Sequence, residues 1–164
     1  MKTLCLVRHA KSSRVDSTLP DRDRPLEARG ERDAARMGKR LSQRHAKPDL
    51  IMSSPALRAL ATAKVIAEGF DDKIEAITVD HRLYATTADA LIAVIEGLDD
   101  KVERVMLVGH NPEFTDLAHH FSREITHMPT CAVAVFAFDA TTWAGIGRAE
   151  PVRTDFDSPN QPSR

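Results

Sequence analysis

The sequence predicts an α/β fold of three layers (α/β/α), with helices on both faces of a mostly parallel central sheet. Three observations carry this. Short uninterrupted apolar runs at residues 4–7, 50–53 and 105–108 read as strands buried on both faces, as parallel sheets require. Longer segments rich in Ala, Leu, Glu and Arg lie between them and read as helices. The two kinds alternate through most of the chain, with no internal repeat of fixed period.

Residues 4–7 (Leu-Cys-Leu-Val) form the first strand and run directly into Arg8-His9. Residues 12–25 are polar and aperiodic and contain two prolines, so they form a loop at the carboxyl end of that strand. Residues 27–41 read as a helix with Ala28, Ala35, Met37 and Leu41 as apolar members, weakened by Gly30 and Gly38. Residues 45–48 connect it to the second strand, 50–53. Ser54 as cap and Pro55 as first helical residue then open a helix over 56–68 that stops before Gly69. Its apolar members from Leu57 to Ile66 are read as core.

Residues 74–79 alternate enough to be a third strand. Thr87 or Asp89 caps the next helix, which reaches about Leu98 and has Leu91, Ile92, Val94 and Ile95 as its apolar face. Residues 105–108 are another buried strand, running into Gly109-His110. Asn111-Pro112 repeats the cap-then-proline arrangement ahead of a helix over 113–121. Residues 132–138 and 143–150 read as closing strands joined by a turn at 139–141. Residues 1–150 thus make one domain, and residues 151–164, polar and proline-bearing, are expected to be a C-terminal tail, partly disordered.

A chain of 164 residues can bury a core without staples. With a formal net charge of −1, no global field recruits nucleic acid or an anionic membrane, so an anion site must be local. Cys5 and Cys131 have apolar neighbours and read as small core residues in a reducing compartment. The first apolar run is too short for a signal peptide, and no stretch approaches membrane-spanning length. A soluble cytoplasmic monomer is the expectation.

Two strands end in a histidine, His9 and His110, and ligands of open α/β sheets collect just beyond the carboxyl ends of strands. If the strands are neighbours, both imidazoles face one crevice. Arg8 offers a fixed fork of donors suited to phosphate, and Arg58, in the first turns of its helix, can reach the same rim near a helix N-terminus. Such groups stabilise the charge that spreads over phosphoryl oxygens during transfer, and a neutral imidazole held in line can take phosphorus covalently. His119, His120 and His127 lack metal-ligand spacing and read as surface or helix-end residues. No metal or cofactor is expected. The run Asp21-Arg22-Asp23-Arg24 reads as a solvated loop.

Four stretches in order, LVRHAKSS, RPLEARG, SSPALRA and LVGHNP, resemble the histidine phosphatase superfamily, with its phosphoglycerate mutase-like fold. Within it they look most like the SixA-type phosphohistidine phosphatases, and the resemblance spans residues 3–140. It implies that His9 is the nucleophile and that Arg8, Arg58 and His110 bind the phosphoryl group, His110 also stabilising the transition state. Ser12 matches a serine that follows the Arg-His motif, and Arg24 is placed at the mouth of the site.

One departure bears on substrate. Many members carry a glutamate after a Leu-Tyr pair to protonate the leaving group, whereas Leu83-Tyr84 is followed by Ala85. General-acid assistance is worth about 10²–10⁴-fold to an alkoxide leaving group, while an imidazole leaving phosphorus needs less help. The gap favours protein phosphohistidine as substrate. Asp16, Asp21, Asp23, Asp80 and Glu113 are the carboxylates that could substitute. The alternatives are a small-molecule phosphomonoesterase and a catalytically silent phosphate-binding module. A mutase fits less well, because the chain lacks extra segments to close over a small bisphosphate.

Overall fold

The computed structural model describes residues 1–70 and 77–162. Six strands form one sheet: β1 (Lys2–Arg8), β2 (Leu50–Ser53), β3 (Ile77–Val79), β4 (Arg104–Gly109), β5 (Val133–Phe138) and β6 (Arg153–Asp157). Four α-helices accompany them: α1 (Ala28–Gln43), α2 (Leu57–Glu68), α3 (Ala88–Glu96) and α4 (Glu113–Phe121). The strand order is β3-β2-β4-β1-β5-β6. The first four in that order are mutually parallel, β5 runs antiparallel to β1, and β6 antiparallel to β5. No helix among the described residues is long and apolar enough to cross a membrane.

The two-residue period of β1 explains the layers. Leu4 and Leu6 point to one face and share a cluster with Leu91 and Ile95 of α3 and Phe114 and Leu117 of α4. Cys5 and Val7 point to the other face and share a cluster with Met37 and Leu41 of α1 and Ala63 and Ile66 of α2. A strand covered on both faces has no polar position to spare, which is why it reads as a continuous apolar run. Both cysteines are free and buried, and burial pushes each thiol up to about 12.

Gly38 is a close-approach residue: a Cβ there would lie 2.9 Å from the Ile66 carbonyl oxygen and 3.0 Å from its Cα. Glycine at this position lets α1 pack against the backbone of α2. Gly30 does the same at the start of α1, where a Cβ would fall 2.2 Å from the carbonyl oxygen of Lys11 in the loop after β1.

Several expectations need correction. Residues 143–150 are not a strand: Gly145 takes φ 75 and breaks the extended run, and Ile146–Arg148 is a 3₁₀ turn. Trp143 is fully buried in the α3/α4 cluster, its indole N–H donating to the Val102 carbonyl at 2.8 Å. The last strand comes from the segment read as a tail. Arg153–Asp157 pairs with β5, and Asp157 is held by Arg40 Nη1 at 3.2 Å and Arg44 Nη2 at 2.8 Å, both from the α1 side. These partners order a stretch whose composition alone reads as solvated; residues 163 and 164 lie outside the described residues.

The third strand is confined to Ile77–Val79, residues 74–76 lying outside the described residues. Pro55 precedes α2, which starts at Leu57 with Ala56 as its cap, while the Ser54 hydroxyl accepts the Ala56 N–H just ahead of the helix. Leu57 faces outward, 43% exposed, so the core face of α2 consists of Ala59, Ala63 and Ile66. Thr87 is the cap of α3, its hydroxyl accepting the Ala90 N–H at 3.2 Å.

Candidate active site

β1 and β4 are neighbours in parallel register, with Arg8 opposite Gly109. The His9 N–H donates to the Gly109 carbonyl at 2.9 Å, so the next residue on each strand is a histidine. Their ring centroids are 5.2 Å apart. Arg58, at the second position of α2, comes to the same place from the neighbouring strand-to-helix connection. A cleft of about 240 Å³ is lined by Arg8, His9, Ser12, Arg24, Arg58 and His110, so all six anticipated residues meet. Lys11 and Arg14 also line it, and Asp21 is the one acidic residue in that lining among the described residues. A larger depression, about 510 Å³, lies between residues 122–127 and β6 and shares no residue with this cleft.

His9 is 8% exposed, and its Nδ1 lies 2.8 Å from its neighbour's carbonyl oxygen, Ala10 O. A carbonyl only accepts, so Nδ1 carries the hydrogen and Nε2 keeps its lone pair. Burial pushes the imidazole down to about 3; the bond to Ala10 opposes this, while His110, Arg58 and Arg8 reinforce it. His110 is pushed down to about 4, by burial first and Arg58 next. Both rings are therefore neutral at pH 7.

The arginines are only partly engaged. Arg8 Nη1 donates to the Met128 carbonyl at 3.0 Å. Arg58 donates through Nη1 to the Asp21 carbonyl at 2.7 Å and through Nη2 to its Oδ2 at 2.9 Å. Five buried nitrogens, Arg8 Nε, Arg24 Nε and Nη1, Arg58 Nε and His110 Nδ1, have no hydrogen-bond partner among the described residues. Arg24 Nε does lie 3.2 Å from Asp21 Oδ1, as an ion contact outside hydrogen-bond geometry. Buried donors without partners are costly, and several of them around one small cleft are the chemistry of an oxyanion site.

Sequence reasoning missed the supporting residues. Ser54 Oγ accepts the Ala56 N–H at 3.2 Å and lies 2.8 Å from His110 Nε2. A hydroxyl has one hydrogen and two acceptor sites, so Ser54 holds the His110 ring by this nitrogen in either tautomer. Thr62 Oγ1 accepts the Ala10 N–H at 2.9 Å and donates to the Arg58 carbonyl at 2.7 Å, tying the two arms of the site together. Tyr84 Oη donates to Asp21 Oδ2 at 2.6 Å, and its ring meets His110 edge-on with centroids 5.5 Å apart.

Asp21, read as part of a solvated loop, is held down to about 2: the Tyr84 hydroxyl is the largest cause, burial opposes it, and Arg58 and Arg24 add to it. Asp16, Asp23, Asp80 and Glu113 are absent from the cleft lining. His119 Nδ1 and His120 Nε2 lie at 2.8 and 2.6 Å from the carbonyl oxygens of Ile125 and Gly147, so both histidines are structural. No group of metal-ligating side chains occurs among the described residues.

Paired neutral histidines flanked by arginines at the carboxyl ends of adjacent parallel strands define an α/β protein with a small cationic cleft whose chemistry suits an oxyanion. Residues 4–85 match the histidine phosphatase superfamily (branch 1), and the chain belongs to this family. A chloroplastic protein of Arabidopsis thaliana is 33% identical over 150 residues, covering 87% of this chain and 69% of that one. The structure is SixA-like. It superposes on a crystal structure assigned as the phosphohistidine phosphatase SixA of Agrobacterium tumefaciens with a TM-score of 0.81 and 26% identity, covering 97% of this chain and 99% of that one. The protein histidine phosphatase SixA complexed with tungstate shares the fold at a TM-score of 0.76 and 21% identity, covering 96% of this chain and 97% of that one.

Proposed function

We propose that this protein is a metal-independent phosphatase acting through a covalent phosphohistidine at His9, with protein phosphohistidine as substrate. The observation that carries the reading is the set of five partnerless buried nitrogens surrounding a neutral His9. Arg8, Arg58 and His110 hold the phosphoryl oxygens, with Ser12 and Arg24 toward the mouth. Nε2 of His9 attacks phosphorus while the bond to the leaving group breaks. Water then attacks phospho-His9, releasing inorganic phosphate and restoring the imidazole. The donors are fixed before the reaction, so the charge developing on phosphorus is met without reorganisation.

Ala85 gives the substrate preference. It takes φ 52 directly after Tyr84 and offers no carboxyl, and the one carboxylate in the cleft lining among the described residues, Asp21, is ionised. A leaving imidazole tolerates this better than an alkoxide. The test is a side-by-side assay on a phosphohistidine-bearing protein and a panel of alkyl phosphates, with chemical quench to trap phosphoenzyme. Acid-labile phosphate on a peptide containing His9, faster turnover of phosphohistidine, and tungstate inhibition in wild type are the expected results. Turnover without phosphate at His9 overturns the mechanism, and equal rates on alkyl phosphates point instead to a small-molecule phosphomonoesterase.

A further inference from the structure

The Asp21 carboxylate is an anion placed where the cleft is otherwise cationic. It lines the cleft beside Arg8, Arg24 and Arg58, yet it is fixed there by Arg58, by Tyr84 and by contact with Arg24. The segment that carries it, the 3₁₀ turn Asp21–Asp23, is clamped a second time: the Arg22 guanidinium stacks 5.2 Å from the Tyr84 ring centroid, and Arg22 Nη2 lies 3.3 Å from His81 Nδ1. Two independent attachments to residues 81–84 hold this carboxylate one residue away from Ala85. Tyr84 spends its only hydroxyl hydrogen on Asp21, so neither member of the pair has a proton to give a leaving group.

We infer that Asp21 is a specificity-determining residue: its fixed negative charge accepts the ring N–H of a leaving imidazole and selects substrates whose leaving group departs carrying a proton. This rests on the phosphohistidine reading above and names the group that enforces it. In the step, the lone pair of His9 Nε2 forms the new P–N bond. The old P–N bond breaks with its electron pair on the leaving ring nitrogen. The hydrogen on that ring's other nitrogen is retained, so the leaving imidazole departs neutral, and His9 keeps its Nδ1 hydrogen. A carboxylate beside the retained N–H favours the protonated, reactive form of the substrate ring, as an opposite charge does for any imidazole. Against a phosphate ester the same charge faces an oxygen that becomes negative, and opposes departure.

The experiment compares phosphoimidazole with p-nitrophenyl phosphate, whose leaving group needs no acid, in wild type, Asp21→Asn and Asp21→Glu. The ratio of kcat for phosphoimidazole to kcat for p-nitrophenyl phosphate is expected to fall about tenfold or more in Asp21→Asn and to stay within about threefold of wild type in Asp21→Glu, since an opposite charge at close range moves a pKa by about one to three units. The descending limb of the pH profile for phosphoimidazole moves down by about one unit or more in Asp21→Asn. Activity on p-nitrophenyl phosphate certifies that each variant is folded. A parallel loss on both substrates, equal ratios in the Asn and Glu variants, or an unmoved pH limb overturns the inference and makes Asp21 a scaffold for Arg58. Wild type that hydrolyses p-nitrophenyl phosphate but not phosphoimidazole overturns the phosphohistidine reading itself, an outcome separate from the other three.

Discussion

Burial sets the protonation of His9 and His110, and its sign can be checked without substrate. Both imidazoles are held well below the unfolded value of about 6.5, at about 3 and about 4. NMR titration from pH 8 to 5 should show neither ring protonating. The unfolded chain binds more protons than the folded one between those values, so stability is full above about pH 6.5 and is lost as pH falls toward 3. Urea unfolding at pH 7.5 and pH 5 measures the slope, and His9→Gln should flatten it; an unchanged slope would show that His9 is not the group responsible. His9→Ala should lower kcat by at least about 10³-fold, since loss of a nucleophile removes the whole covalent route. Ala85→Glu should raise activity on alkyl phosphates more than on phosphohistidine, read as the ratio of kcat/KM values; an unchanged ratio would place residue 85 outside the cleft's reach.

At this scale Arg8, His9, Arg58 and His110 were legible because each stands at a strand end or on the first turn of a helix. Ser54, Thr62 and Tyr84 were not, because the partners that give them their roles lie 52 to 63 positions away, in the Thr62–Ala10 bond (52), the Ser54–His110 contact (56) and the Tyr84–Asp21 bond (63). Asp21 was named only as one of five spare carboxylates, in a run of alternating charges that looks solvated until Arg58 and Tyr84 are placed against it.

Among the elements, α1 and α2 show why a glycine that weakens a helix is retained. Gly38→Ala should gain up to about 1 kcal/mol of helix propensity, yet its methyl meets the backbone of Ile66, which cannot rotate away. Overpacking of this kind typically costs about 1–3 kcal/mol, so the substitution should destabilise on balance. Urea titration of Gly38→Ala decides the sign; a more stable variant would mean that the helices separate at little cost. Such glycines lowered the helix signal of 27–41 in the sequence although Ala28–Gln43 is continuous, because close approach between helices leaves no mark on a single-chain periodicity. The opposite failure occurred at residues 143–150, where Trp143 and Ile146 supply strand-like apolarity but Gly145 turns the chain and both side chains pack into the core from a loop.

For the molecule as a whole, the sheet order is what makes the site: β4 inserts between β2 and β1, so the ends of β1, β4 and the β2–α2 connection converge from positions 9, 110 and 58. Nothing in the sequence announces that β6 closes this sheet, since Arg153–Asp157 carries three charges in five residues. Its hold comes from across the molecule. Asp157 is 2% exposed and meets Arg40, itself 7% exposed, so removing Asp157 leaves the buried Arg40 charge without its carboxylate. Breaking such a pair costs about 3–5 kcal/mol, a large part of the roughly 5–15 kcal/mol that holds a domain together. Asp157→Ala should therefore lower the unfolding free energy by several kcal/mol while KM stays near wild type in the fraction that remains folded, because Asp157 does not line the cleft. Deleting residues 151–164 adds the loss of the β5–β6 ladder and exposes the β5 edge to other chains. That truncation should unfold at markedly lower temperature, or aggregate, where a detached tail would leave the melting temperature unchanged. A truncated protein that melts like the full chain would return residues 151–164 to the status of a tail and leave Arg40 in need of another partner.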